Sequence, residues 1–309
     1  MRERPRFGGV VPSGSFHIPY HVYGAPEGQP VVCVNALNQT KAAWHPVAAR
    51  LGALAPVVVF DFPDYAATAD LHDGHSLLDL HREALAAVVD RVAPMGPVTL
   101  LGLSWGSAVA AAYAARAGAR VRRMLLGSFG LRMPPVVTRL IDSALAVAAR
   151  GEPERCGELL VETLGSGLRA GARSFIRAQF RNLDPATRRG LEHHVRWLRD
   201  VDLSASIELD AIAAQTLIVL GAQDRAVNHA DTVAASRRIP RCSVASIPGA
   251  AHYLHLERPR ITALYEAFLL HGLMPPARAC DPGLCEVADH ADWSFAPTST
   301  SLLHLTSGA

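Results

Sequence analysis

The chain has 309 residues, half of them apolar and 19% charged, with 30 Lys and Arg against 28 Asp and Glu. That composition can bury a substantial core, in one large domain with an inserted lid or in two domains. It excludes a helical membrane span, because no apolar run reaches about 18 uncharged residues. The charged start Met1–Arg6 is not followed by an apolar stretch, so no secretory signal is expected. The cysteines number five. Cys33 falls in an apolar run, Cys156 and Cys242 stand alone, and Cys280 and Cys285 lie near the end. An odd, scattered set fits a reducing, cytoplasmic setting. No second pair accompanies the terminal two, so no metal site is expected.

From Phe16 to Ser128, β-rich runs alternate with helical ones. Val31–Asn35, Val57–Asp61, Val98–Leu103 and Arg122–Ser128 read as strands; Ala42–Leu54, Ser76–Val92 and Trp105–Ala117 read as helices. Ser76 followed by Leu77, Leu80, Ala84, Leu85 and Val88 is a capped amphipathic pattern. The alternation predicts a mostly parallel sheet with helices on both faces. Between Phe129 and Asp210 the β-branched runs vanish, leaving helical stretches at Val136–Ala149, Pro153–Leu164, Leu168–Leu183 and Pro185–Asp200. The β/α alternation resumes after Leu209 and continues through Phe268. From Met274 the chain turns to Pro, Ser, Thr and small residues without period, which predicts a disordered tail.

Within this frame, Gly102-Leu103-Ser104-Trp105-Gly106 is the most informative stretch. It is a G-x-S-x-G directly after an apolar strand and directly before an alanine-rich helix. A sharp strand-to-helix turn holds such a serine proud of the sheet, and needs small residues two places to either side. The bland alternative is an ordinary turn. Asp224 follows the apolar run Thr216–Leu220, and His252 follows Ser243–Ile247, so each sits in a loop just past a strand end. In an open α/β sheet such loops gather at one edge. Nucleophile, acid and base thus come in the order Ser104, Asp224, His252. His255 reads as a helix-face residue. His72 and His75 flank a loop and lack a third metal ligand. His193 and His194 are adjacent on a helix and cannot chelate together.

Between Gly165 and Arg199 there are eight arginines against Asp184 and Glu192. Arg169, Arg173, Arg177 and Arg181 recur every four residues and form a stripe on a helix. One reading is a solvated face; the sharper one is a dock for an acidic partner or for phosphates. Nucleic acid is not expected, since aromatics are not interleaved and no such motif occurs.

On these residues the chain resembles the α/β-hydrolase superfamily, from Phe16 to about Gly272. Val31–Asn35 resembles the strand before the oxyanion loop, Val57–Pro63 the next strand with its D-x-P exit, and His252-x-x-x-x-Glu257-x-Pro259 the histidine loop. Within the superfamily it looks most like the β-hydroxyacyl transferases that make the lipid precursor of rhamnolipids, and their transacylase relatives. The features are Val34-Asn35-Ala36 in place of His-Gly, Trp105 after the serine, the segment Gly157–Gly165, and His252–Glu257. The resemblance implies an α/β-hydrolase core at 1–128 and 211–272, a helical cap at 129–210 and a tail at 273–309. It implies a serine-dependent acyl transfer without cofactor, with backbone N–H groups of Leu37 and Trp105 as the oxyanion hole. The substrate would be an acyl carrier protein thioester or a CoA-linked acyl group, with Arg169, Arg173, Arg177 and Arg181 as the carrier dock. Phe129, Leu131, Met133, Phe175, Phe180 and Trp197, the larger apolar residues of the cap, are candidates to line an acyl tunnel; packing of cap helix on cap helix is the alternative. An ester or thioester hydrolase, or a non-catalytic ligand binder on the same fold, remain as other readings. Ala36 stands where glycine is usual, and the loop Phe62–Ala67 lacks a common glycine, which bears on the pocket mouth.

Overall fold

The computed structural model describes residues 4–25, 27–63, 68, 76–272 and 285–286. His72, His75 and most of the Phe62–Ala67 loop lie outside these, as does nearly all of the tail. Among the described residues the sheet has nine strands: β1 (Phe7–Ser13), β2 (Phe16–Tyr23), β3 (Val31–Val34), β4 (Val57–Phe60), β5 (Val98–Leu103), β6 (Val121–Gly127), β7 (Gln215–Gly221), β8 (Cys242–Ile247) and β9 (Cys285–Glu286). Their spatial order is β1-β2-β4-β3-β5-β6-β7-β8-β9. From β4 onward the pairing is parallel, and the β1–β2 hairpin joins antiparallel. β1 is not evident in the sequence, because Gly8, Gly9 and Pro12 weaken its β signal. As an edge strand, β1 tolerates them. The expected unstructured tail also needs correction at one point: Cys285 and Glu286 pair with Ala245 and Ser246.

The central strands are apolar on both faces, as a sheet covered on both sides requires. Val32, Leu100, Met124 and Ile218 face one layer, shared with α2 (Leu77–Val92) and α3 (Trp105–Ala117). Their immediate neighbours Val31, Leu101, Leu125 and Leu217 face the other, shared with α1 (His45–Leu51) and α10 (Thr262–His271). This strict period of two fixes the register, since a one-residue slip would exchange the layers. The Ser76 hydroxyl caps α2 by accepting from Leu78 and Asp79, as its sequence position suggests.

After β6 the chain leaves the sheet for α4 (Pro135–Ala149), α5 (Pro153–Leu164), α6 (Ala170–Arg181) and α7 (Pro185–Arg199). These pack on one another, α4 against α5 and α7, and α5 against α6. Exit and return lie side by side: Leu203 N–H donates to the Leu131 carbonyl at 2.8 Å. Arg132 pairs with Asp202 at 2.9 Å. The return to β7 is followed by α8 (His229–Ser236), β8 and the short α9 (Leu254–Glu257).

Leu125 is fully buried between β6 and the α10 layer, whereas Met95 is 94% exposed. Leu125→Ala should cost about 2–5 kcal/mol of stability, and Met95→Ala less than about 0.5 kcal/mol, both read from urea unfolding curves.

Candidate active site

Ser104 closes the turn between β5 and α3 with φ 50 and ψ −119, a left-handed backbone that costs a non-glycine residue about 1–3 kcal/mol. Close packing enforces it. A Cβ on Gly106 would collide with the carbonyls of Val34 and Asn35, and one on Gly102 with the backbone of Gly106 and Ser107. The Gly127 carbonyl, at the end of β6, accepts from both Ser104 N–H and the Ser107 hydroxyl at 2.8 Å.

The three loops predicted to converge do so. His252 Nε2 lies 3.0 Å from Ser104 Oγ. Its Nδ1 lies 3.1 and 3.0 Å from the two Asp224 carboxylate oxygens. With Nδ1–H donating to Asp224, Nε2 is left as an acceptor facing the serine hydroxyl. Asp224 is itself oriented, accepting from Ala226 N–H at 2.8 Å. The acid and histidine loops are bound to each other, with Gln223 N–H donating to the Ala250 carbonyl at 2.8 Å. Burial opposes charge on His252, but the Asp224 carboxylate outweighs it and, aided by Glu257, raises the imidazole above the ordinary histidine value. Burial likewise opposes charge on Asp224, yet the His252 imidazole and the hydrogen bond from Ala226 N–H hold its carboxyl below the usual range.

Two supporting residues carried no assigned role in the sequence reading. Glu257 is buried, and its carboxylate accepts from Ala251 N–H at 2.5 Å and from Tyr253 N–H at 3.1 Å. It thereby clasps the backbone on both sides of His252. Ser128, at φ 52, donates its hydroxyl to the His252 carbonyl at 3.1 Å. The spacing of Glu257 after His252 was the available signal for the first; for the second, only the position directly after β6 was.

The oxyanion candidates Leu37 and Trp105 both border the same cavity as Ser104 and His252. The loop that carries Leu37 is tied down by Asn35, which is fully buried: its side-chain amide donates to the Phe60 carbonyl at 2.8 Å and accepts from the Trp44 indole at 2.6 Å. His255 lies in the short helix α9, as expected, with its face buried against Trp44 at a ring-centroid distance of 5.4 Å. Burial pulls its pKa down to about 4. His194, by contrast with exposed His193, is buried, its Nε2 lying 3.0 Å from Thr68 Oγ1.

The cavity measures about 210 Å³. Much of its apolar wall comes from the helices between β6 and β7, Leu140, Ile141, Leu160, Leu164, Leu191 and Val195 among them, and the rest from the loops around Leu37, Val227 and Tyr253. Of the residues singled out in the sequence, Met133 and Phe180 line it. Phe129 and Leu131 are buried in the core layer instead, and Trp197 packs against that layer. Phe175 is 57% exposed and lines nothing. Side-chain size was the wrong guide; which helix face looks inward decides, and on these helices that face is leucine and valine.

The arginine stripe is also not open along its length. Arg173 folds back to donate to the carbonyls of Leu168 and Ser166 at 2.8 and 3.0 Å. Arg177 is half-buried with its backbone against Gly157. Arg181 pairs with Glu154 of α5. Arg169, at the start of α6, is exposed. Counting acids only within Gly165–Arg199 overlooked the glutamates of α5. Among the described residues no cluster of His, Cys, Asp and Glu could hold a metal ion, and no helix is long and apolar enough to cross a membrane.

The fold agrees with the comparisons. The model of the alpha/beta hydrolase family matches residues 31–263, and the chain belongs to that family as an enzyme of the α/β-hydrolase fold. A curated relative, the (R)-3-hydroxydecanoyl-ACP:CoA transacylase of Pseudomonas aeruginosa, is 25% identical over 198 residues, 62% of this chain and 64% of that protein. The match thus spans somewhat less than two thirds of the relative's length. Among solved structures, an esterase from Thermogutta terrifontis matches with TM-score 0.68 and 19% identity, over 85% of this chain and 98% of that one. The enol-lactonase from Burkholderia xenovorans LB400 matches with TM-score 0.70 and 18% identity, over 84% and 99%.

A serine-directed phosphonate should label Ser104 with a rate that falls as pH drops through the raised His252 pKa, because only the neutral imidazole can take the hydroxyl proton. Asp224→Asn removes the charge that raises that pKa. It should therefore move the midpoint to lower pH and slow labelling by about three to four orders of magnitude, as followed by mass spectrometry.

Proposed function

We propose that the chain is an acyl-transfer enzyme that works through an acyl-Ser104 intermediate and moves 3-hydroxyacyl groups delivered as a carrier thioester. The observation that carries this reading is the continuous Asp224–His252–Ser104 hydrogen-bond chain opening onto an apolar cavity. The likeness to a 3-hydroxydecanoyl transacylase supports the choice of substrate. A pure binder has no use for such a chain of three.

In the proposed cycle, His252 takes the Ser104 proton as Oγ attacks the thioester carbonyl. The oxyanion that forms is held by the backbone N–H groups of Leu37 and Trp105. Collapse expels the carrier thiolate, which receives the proton from His252 and leaves acyl-Ser104. An acceptor hydroxyl or thiol then gives its proton to His252, attacks the acyl carbon and restores the serine. Water in the acceptor's place gives the second reading, an ester or thioester hydrolase, which membership of the hydrolase family favours. The helices of residues 129–210 act as the cap that holds the acyl chain and limits water. Of the four arginines, Arg169 carries the dock for an acidic carrier, since Arg173 and Arg181 are bonded within the protein and Arg177 is half-buried.

Ser104→Ala should lower turnover by about three or more orders of magnitude while leaving the melting temperature in place. With a 3-hydroxyacyl carrier thioester and either free CoA or a second 3-hydroxyacyl acceptor, the wild type should form the transferred product. Free acid as the only product would establish the hydrolase instead.

Replacing Leu140 or Leu191 by Trp takes volume from the cavity and should shift preference toward shorter chains across a series of p-nitrophenyl esters. Phe175→Ala should leave that preference unchanged; a shift there would overturn the placement of the acyl chain.

A further inference from the structure

The residue that follows the nucleophile is held from the side. The Trp105 indole Nε1–H donates to His81 Nδ1 at 2.7 Å, between two buried rings. That bond fixes the His81 tautomer: Nδ1 accepts, so Nε2 carries the proton. The His81 ring lies flat on Phe62, with centroids 3.9 Å apart and planes 5° from parallel. Trp197 of α7 packs T-shaped against the Trp105 indole, with centroids 5.7 Å apart. His81 also touches His194 of the same helix edge-on at 5.9 Å. One imidazole on α2 thus joins the nucleophile turn to the inner side of the cap.

We propose that His81 is a positioning residue for acyl transfer, locking the Trp105 indole and through it the backbone N–H that follows Ser104. The proposal rests on the acyl-serine reading above. Trp105 is the first residue of α3, and its backbone continues directly from the strained φ of Ser104. An indole held by a hydrogen bond from its Nε1–H and packed against Trp197 restrains the side-chain torsions, and these restrain the backbone to which they are joined. An N–H held in advance of the reaction needs no reorganisation when the oxyanion forms.

Plain packing accounts poorly for a histidine here. An apolar side chain would fill the same space, whereas the imidazole brings two nitrogens into a dry site. Among the described residues, Nε2 has no hydrogen-bond partner, so the Trp105 bond is the one return on burying this polar ring. Burial keeps the ring far below ordinary histidine protonation, with His194 adding to the effect, so Nδ1 stays able to accept throughout the working pH range.

The experiment compares His81→Leu, His81→Asn, Trp105→Phe and the double variant Trp105→Phe with His81→Leu. Each is assayed with a p-nitrophenyl ester and with a trifluoromethyl ketone, which forms a serine adduct bearing an oxyanion. His81→Leu should lower kcat about tenfold or more, leave KM unchanged, and raise the ketone inhibition constant by the same factor. His81→Asn, whose Oδ1 can stand where Nδ1 stood and accept, should restore both. Trp105→Phe should reproduce the loss, and adding His81→Leu to it should cost nothing more. Wild-type kcat in His81→Leu with a lowered melting temperature, or losses that simply add in the double variant, would overturn the proposal in favour of packing. Should His81→Leu fail to fold, the other two single variants decide. Loss in Trp105→Phe with retention in His81→Asn supports the proposal, and any other pairing overturns it. A wild-type Ser104 that no phosphonate labels would overturn the acyl-serine reading itself. A labelled wild type with indifferent His81 variants overturns this inference alone.

Discussion

The Gly127 carbonyl is the hinge on which the molecule's chemistry turns. One oxygen at the end of β6 takes hydrogen bonds from the Ser104 N–H and the Ser107 hydroxyl, and so fixes a turn that the backbone of Ser104 would not adopt unaided. Two glycines make that arrangement possible by letting α3 press against the carbonyls that end β3. The cost of the turn is repaid across the sheet, in layers where Leu100, Leu101, Leu125 and Met124 are fully buried. Local strain of this size persists only where surrounding packing over-determines it, and a sheet buried on both faces provides that.

From the same edge of the sheet, the acid and base arrive already coupled. Because Gln223 is bonded to Ala250 and Glu257 grips both neighbours of His252, the Asp224–His252 pair is rigid before any substrate enters. Electrostatics follow from that rigidity. Two groups whose burial alone would suppress their charges instead hold each other in the opposite direction, the carboxyl downward and the imidazole upward. The serine faces a base whose tautomer has no freedom to be wrong.

How much of this was legible in the sequence depends on whether the cause is local. The convergence of Ser104, Asp224 and His252 was, because each follows a β-rich run that ends at the same sheet edge. The strands β3 to β8 were, because short β-rich runs recur between helical stretches, and β3, β4, β5 and β7 are almost wholly apolar. β1 was hidden by its glycines and proline, whose tolerance depends on being at an edge. The arginines of α6 misled, since Glu154, one turn into a different helix, settles Arg181. The cavity wall misled for the same reason: Leu140 and Leu191 line it and Phe175 does not, a matter of helix rotation set by tertiary packing. His81 left one trace that could have been followed. It falls on the apolar face of α2, four residues from Leu77 and four from Leu85, where a polar ring is out of place.

The paired neck at Leu131 and Leu203 has an implication for how such a molecule can change over time. The whole run of four helices begins and ends at neighbouring points, secured by one backbone bond and one ion pair. Lengthening or exchanging an excursion whose ends already meet adds little closure entropy, and it leaves the strand register beneath undisturbed. The sheet that sets the Ser104–His252–Asp224 geometry and the four-helix excursion are therefore free to diverge at separate rates.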